Sequence, residues 1–523
     1  MIFHSTFPDT VIPEMTFSDF ILENAPARGD QPALVDGPSG RTVTYAQLAE
    51  FTRRVAANLA GRGLQKGDVF AIMLPNLPEY AIAFHGVATA GGTLTTINPL
   101  YTVEELRYQL GDTRAKYLLT LPMFFEKVRE ATKDTPLREI FILGDAPEGS
   151  TPFTALLAPA ENLPPVEIDI YKDLLVIPYS SGTTGLPKGV MLTHHNVVSF
   201  ISMVRPAAAY REGANYLAVL PFFHIFGMVG ILNVCLVEGS TMVTMPRFDL
   251  EQFLQLMQDY KVAGSCVVPP IVLALAKHPV VDKYDLSNLE WLLSGAAPLG
   301  TDLQEACAAR LKCEVVQGWG MTETSCGATI LPLDPEKRKP GSAGLLVANQ
   351  DLRVVDISTG ENLGPNQSGE LWLHGPNIMQ GYLNQPAASR DTVDDEGWLH
   401  TGDIGYIDDD GYLFIVDRIK ELIKYKGLQI APAELEAVLL SNPAVADAAV
   451  IGRADPEAGE VPKAFVVLKT PVPADEILAF VAEKVAPYKR IRKLEFVDQI
   501  PKSASGKILR RVLIEQDRAH SDN

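Results

Sequence analysis

Apolar positions fall into two rhythms along this chain. Between residues 44 and 62, Tyr45, Leu48, Phe51, Val55 and Leu59 recur three or four apart, which predicts a helix over 44–62 with Thr44 as its N-cap. A buried strand is expected at 69–74 and a second helix at 79–90. Short apolar strands at 116–121, 139–143, 216–220 and 241–244 continue the alternation. Strands that alternate with helices predict α/β layers with largely parallel sheets. From 347 to 373 the rhythm changes to period two: LRVVDIS and GELWLHG, separated by Gly, Pro and Asn turns, predict antiparallel strands in a smaller β-rich unit.

After the apolar GYLFIV strand, charge density rises over 417–426 and a compact α/β stretch begins. Helices are expected at 433–440 and 474–485, and strands at 448–451 and 464–468. The main boundary is expected there, separating an N-terminal domain of residues 1–417 from a C-terminal domain of residues 418–523. The expected fold class is therefore α/β: a large N-terminal domain of layered α/β subdomains plus a β-rich subdomain, and a small mobile α/β C-terminal domain. Two domains joined by a short polar hinge can hold a ligand between them and move about it.

Composition narrows the function classes. The chain has 523 residues, 47% of them hydrophobic, and a net charge of −19. That balance argues against a general nucleic-acid or anionic-membrane binder, while leaving room for a local basic site that takes an anionic small molecule. Five scattered cysteines, without a CxxC pair or a zinc-like His cluster, predict a reduced chain with no structural metal. The opening MIFHSTFPDT has no signal-peptide pattern, and the apolar stretches at 228–237 and 266–276 are too short to span a membrane. A soluble, cytoplasmic protein is expected.

The strongest chemical signal is YSSGTTGLPKG at 179–189, directly after an apolar strand. Glycines allow the backbone to approach a ligand, hydroxyls and N–H groups can donate to phosphate oxygens, and Lys188 adds a positive charge. The spacing is not that of a Walker A loop, because the lysine is followed by glycine rather than Ser or Thr.

This word is followed in order by QGWGMTE at 317–323, TGD at 401–403, DRIKELIKYKG at 417–427 and PKSASGK at 501–507. Together these segments resemble the signatures of the adenylate-forming superfamily of acyl- and aryl-CoA synthetases, luciferases and adenylation domains. VPPIVLALAKHP, SGAAPLG and GWLHTGDIGYID are most similar to 4-coumarate–CoA ligases. The resemblance implies two half-reactions at one site. A carboxylate attacks the α-phosphorus of ATP, and CoA then displaces AMP from the acyl adenylate.

The resemblance also implies roles for particular residues. Ser180, Ser181, Gly182, Thr183, Thr184 and Lys188, with Gln317, Gly318, Trp319 and Thr322, would hold ATP or AMP, and Glu323 would be the Mg2+ ligand. Asp403 would accept from the ribose hydroxyls and Arg418 would add a ribose or phosphate contact. Lys507, within a basic run, would bridge the carboxylate and α-phosphate. Lys420 matches the pivot of the hinge; Lys424, Lys426, Gly427 and Gln429 would serve the CoA step after the small domain turns. His224, in PFFHIFGM, would border the acyl pocket and orient the carboxylate.

The acyl pocket would be formed by His224, Phe226, Gly230, Gly295, Ala296, Gly318, Gly320 and Cys326. None is a carboxylate, so a free amino-acid ammonium would lack a partner and an amino-acid adenylation domain is not expected. Phe226 stands where plant 4-coumarate ligases often carry tyrosine, Leu293 replaces a lysine, and Cys326 and Gly327 replace a Pro-Val pair. The pocket is therefore more apolar than theirs, and both aryl-propenoates and medium- or long-chain fatty acids fit such a slot. A luciferase-type oxygenase, a ligand-binding sensor without catalysis and a ligase using an acceptor other than CoA share these motifs. The presence of Lys188, Glu323 and Lys507 argues against the sensor, and the 424–429 segment favours CoA.

Overall fold

A computed structural model describes residues 1–160, 163–180, 187–426, 428–455, 457–503 and 506–521. The helix expected near residue 44 runs over Tyr45–Gly61, and Thr44 and Gln47 close a reciprocal capping box at its start. Its buried residues include Tyr45, Leu48, Val55 and Leu59. The Pro-Pro break in the apolar 266–276 stretch ends the strand Gly264–Val267 and opens the helix Pro269–Lys277. Proline suits the first helical turn because its missing N–H has no partner there in any case.

Two large sheets form the N-terminal part. One has eight strands, and its central members Thr93–Thr96, Val69–Ile72, Tyr117–Thr120 and Glu139–Ile142 are parallel. Leu174–Ser180 joins them in parallel, then turns back antiparallel as Lys188–Thr193. The other sheet has nine strands; Asn215–Ala218, Gly264–Val267, Trp291–Ser294 and Glu314–Trp319 run parallel through it. Helices cover these sheets, and one continuous apolar core runs through both.

The change of rhythm after residue 347 is a real change of architecture. Asp351–Val355, Gly369–His374, Leu399–Ile407 and Leu413–Arg418 form an antiparallel sheet. Beyond it, the helices Pro432–Leu440 and Ala474–Lys484 pack on a long hairpin, Val445–Asp455 with Gly459–Leu468. The hairpin is longer than the apolar runs at 448–451 and 464–468 suggested, because polar residues such as Arg453 and Glu460 continue the pairing past the apolar centre. This C-terminal part has its own core around Ile423, Leu435, Val450 and Val466. Among the described residues no helix is long and apolar enough to cross a membrane.

Candidate active site

Carboxyl ends of parallel strands are where ligands bind in open α/β sheets, and a cavity of about 1080 Å³ lies at such ends here. Ser180, at the end of Leu174–Ser180, and Lys188, at the start of the return strand, both line it. Gly295 and Ala296 follow the strand Trp291–Ser294, and Gly318, Trp319, Gly320, Thr322 and Glu323 continue from Glu314–Trp319. His224, Phe226, Gly230 and Cys326 complete the expected acyl residues. From the C-terminal side Arg418, Lys420 and Lys507 reach the same cavity. Ser181, Gly182, Thr183, Thr184 and Gly427 lie outside the described residues.

Local backbone explains the shape of the acyl end. Phe226 and Gly230 sit on a π-helical stretch, Phe226–Asn233, where Asn233 Nδ2 donates to the Met228 carbonyl at 2.8 Å. Such wide turns are uncommon in helices and recur at functional sites. A Cβ on Gly230 would fall 2.8 Å from Cys326 Sγ, and one on Gly295 would fall 2.8 Å from the Phe226 ring. Both glycines therefore make room for that ring. Beyond it the wall is apolar, formed by Phe200 and Val204 on the helix His194–Val204 and by Ala207, Ala208 and Val234.

Lys507 is the last residue of the expected PKSASGK word, on a loop that closes on itself. Its N–H donates to Ser503 Oγ at 3.1 Å and its carbonyl accepts from the Ser503 N–H at 2.8 Å. Burial, with the nearby Arg418 charge, pushes the Lys507 ammonium down to about 8. His224 is pushed down to about 4 by burial and then by the Lys507 charge. At neutral pH the imidazole is uncharged. Its Nδ1 accepts from the Phe226 N–H at 3.3 Å, which leaves the ring proton on Nε2.

Glu323 is buried and accepts a 2.8 Å hydrogen bond from the Tyr382 hydroxyl on Oε1. Burial and the Glu323 charge hold the Tyr382 phenol well above its ordinary range, so it stays a donor. Lys188 Nζ lies 4.5 Å from the centroid of the same ring. Tyr382 belongs to the two-residue strand Gly381–Tyr382, which pairs with Lys188–Thr193. No sequence word pointed to it; its contacts arise only when that strand is laid against the glycine-rich segment.

Two expected nucleotide residues do not line the cavity with their side chains. Gln317 does not line the cavity, because its amide is spent on the Leu299 N–H at 3.1 Å, the Leu299 carbonyl at 3.2 Å and Gln304 at 3.0 Å. It holds the turn that carries Gly295 and Ala296. Asp403 is only 3% exposed; Trp319 Nε1 donates to one oxygen at 2.9 Å, and Arg418 Nε lies 2.9 Å from the other. Thr401 and Gly402 line the cavity in its place, and Arg418 covers the carboxylate. Lys424, Lys426 and Gln429, expected at the site only after the small domain turns, are exposed on the hairpin of Ile423–Tyr425 and Leu428–Ile430 in this arrangement, away from the cavity walls.

Residues 21–383 match the model of the AMP-binding enzyme family, and residues 434–507 match its C-terminal domain. The chain belongs to the AMP-binding enzyme family. It is 44% identical to a 4-coumarate–CoA ligase of Petroselinum crispum over 98% of this chain and 96% of that one. Among solved structures it is similar to an anthranilate–CoA ligase in complex with anthranoyl-AMP, with a TM-score of 0.89, 28% identity and 99% of each chain covered. A Mycobacterium tuberculosis fatty acyl-CoA synthetase is 31% identical with a TM-score of 0.76, covering 97% of this chain and 99% of that one. Family members of this kind work with ATP, Mg2+ and CoA. The residues here fit Mg2+: Glu323 Oε2 has no hydrogen-bond partner among the described residues, and Thr322, its neighbour in the chain, lines the same cavity. Mg2+ takes one or two carboxylates, keeps several waters and completes its shell with substrate phosphates, so it does not need a caged cluster of ligands.

Proposed function

We propose that this enzyme is an AMP-forming carboxylic acid–CoA ligase acting on 4-coumarate- or cinnamate-like acids. The observation that carries this reading is one cavity in which Lys188, Glu323, His224 and Lys507 meet an apolar recess beyond Phe226. The 44% identity to a 4-coumarate–CoA ligase over nearly the whole chain supports the class of acid.

Adenylation sets a carboxylate against a triphosphate, so mutual repulsion is the main obstacle and positioned cations are the main remedy. One carboxylate oxygen forms a bond to the α-phosphorus as pyrophosphate leaves. Lys507 bridges that carboxylate and the α-phosphate, and Lys188 faces the leaving phosphates. His224, neutral and protonated on Nε2, donates to the carboxylate and orients it. Glu323 and Thr322 would hold Mg2+, which when bound would lower the charge of the phosphates. Asp403 fixes Trp319 and Arg418 beside the ribose.

For the second step the unit of residues 418–523 turns about Lys420 against residues 1–417. That turn carries Lys424, Lys426, Gly427 and Gln429 to the cavity, where the CoA sulfur attacks the acyl carbon and AMP leaves. The exposure of Lys424 and Gln429 in the present arrangement supports such a turn, since one cleft must exclude water first and admit CoA afterwards. Five free thiols, four of them buried, support a cytoplasmic location.

A second reading, a fatty acid–CoA ligase, is favoured by the apolar wall of Phe200, Val204, Ala207 and Ala208. One competition assay separates the two. The enzyme receives ATP, Mg2+, CoA and equimolar cinnamate, 4-coumarate, ferulate, benzoate, octanoate and palmitate, and thioesters are identified by mass. Cinnamoyl and coumaroyl products are expected to dominate. Octanoyl or palmitoyl products would overturn the acid, and no thioester at all would overturn the ligase.

A further inference from the structure

Lys188 and Glu323 carry opposite charges, line the same cavity and are both needed free for a phosphate ligand and its metal. Left to themselves such groups pair, and each would then neutralise the other. Among the described residues they form no ion pair; the Tyr382 side chain lies between them. Its ring face takes the Lys188 ammonium at 4.5 Å from the centroid, and its hydroxyl donates to Glu323 Oε1 at 2.8 Å. An ammonium over an aromatic face is held without losing its charge. A carboxylate with one oxygen engaged keeps the other for a ligand.

The backbone holds this spacer in place. The Met379 N–H donates to the Glu323 carbonyl at 2.9 Å, and the Leu383 N–H donates to the Gly189 carbonyl at 2.8 Å. Gln380 N–H reaches the Met191 carbonyl at 3.0 Å, and the Tyr382 N–H donates to Ser389 Oγ at 2.8 Å. The segment 379–383 is thus tied on one side to the residue that carries the carboxylate and on the other to the strand that carries the lysine.

We propose that Tyr382 is a positioning residue that keeps Lys188 and Glu323 apart and ready for a metal-bound triphosphate. The proposal rests on the nucleotide-binding part of the function above and is independent of which acid is used. Calorimetric binding to the intact enzyme without acid or CoA tests it, with MgATP and metal-free AMP as probes. Tyr382→Phe keeps the ring and loses the donor; MgATP affinity is expected to fall about tenfold, as for a lost hydrogen bond to a charged group. AMP, which lacks the terminal phosphates and their metal, should change by less than about twofold on the same grounds. Tyr382→Leu removes ring and hydroxyl together and should weaken MgATP further than the phenylalanine variant. Equal losses for MgATP and AMP, or no change in either, would overturn the proposal. If the leucine variant does not fold, the near-isosteric phenylalanine variant decides alone. Absence of ATP binding by the unaltered enzyme would instead overturn the nucleotide site itself.

Discussion

Lys188 and Lys507 face one cavity from two parts of the chain, and they are held there by different forces. Lys188 begins a strand inside an eight-stranded sheet, and its ammonium rests on a tyrosine ring. Its position is set by backbone pairing and packing. Lys507 sits on a short loop just before the helix Arg510–Ser521, and that helix is tied down by charge. Arg510 donates to Glu421 at 2.8 Å, to both oxygens of Glu436 at 2.7 and 2.8 Å, and to the Val450 carbonyl at 3.2 Å. Glu421 belongs to the segment just after Lys420, so the arginine ties the helix that follows Lys507 to the proposed hinge. The difference suits the proposed turn, in which one wall stays fixed and the other moves. In that proposal, sheet packing holds one half in place and the compact ion cluster keeps the other half together as it turns.

The sharpest way to break this comparison is to remove Lys507. Lys507→Ala should lower acyl-AMP formation by about 10²–10³-fold, the scale of losing one preorganised electrostatic group. Thioester formation from supplied acyl-AMP should change only a few-fold, because the mobile wall presents different residues in that step. Equal loss of both half-reactions, followed separately, would place Lys507 in the fixed machinery instead.

Arg510 tests the ion cluster itself. Arg510→Met leaves the buried Glu436 and the half-buried Glu421 without their partner, and stability of the C-terminal part should fall by about 3–5 kcal/mol. Hydrogen exchange should report the loss in residues beyond 420 and leave the two large sheets protected. A loss spread evenly over the whole chain would mean that the two regions do not differ as described.

Protonation gives a third test. In the proposed adenylation the Lys507 ammonium bridges carboxylate and phosphate, and a lysine held down near 8 loses its charge as pH rises through that value. Adenylation kcat/KM should therefore be flat below that pH and fall about tenfold per unit above it. In Lys507→Arg the charge persists, so the decline should move to higher pH. His224, held near 4, should contribute no limb between pH 5 and 8. A histidine-like limb near pH 6.5 would mean that the imbidazole is charged in the working range.

The smallest expected effect concerns the fixed apolar wall. A Cβ on Gly327 would lie 3.0 Å from the Phe200 ring, so Gly327→Val forces that ring to give way. KM for 4-coumarate should rise about threefold with kcat little changed, as for a modest overpacking of a binding wall. An unchanged KM for 4-coumarate together with weaker use of octanoate would show that Phe200 borders a longer acyl group.

Much of the fold was legible because its signals are local. Thr44 caps the expected helix through a residue three positions away, and the antiparallel unit announces itself by period-two alternation. The glycine-rich word located Ser180 and Lys188 at the cavity, and the PKSASGK word located Lys507. The same words also named Gln317 and Asp403, whose side chains are engaged by other residues. Both lie within recognisable motifs, yet one amide is consumed by Leu299 and Gln304 and the other side chain is covered by Trp319 and Arg418. A motif records which residue types are present, not which atoms remain free.

By itself the sequence determined the order of helices and strands, the change to an antiparallel unit, the charged segment before the C-terminal part and the motifs that bring Ser180, Lys188 and Lys507 to the cavity. Each depends on periodicity or on residues close together in the chain. Only the tertiary structure decided that Tyr382 lies between Lys188 and Glu323, that Arg510 ties the helix after Lys507 to Glu421, and that Phe200 borders Gly327. These contacts join residues tens to hundreds of positions apart, and no local pattern encodes them. They exist because sheet pairing and core packing bring those side chains together, and burial then makes each hydrogen bond and each ångström of clearance count.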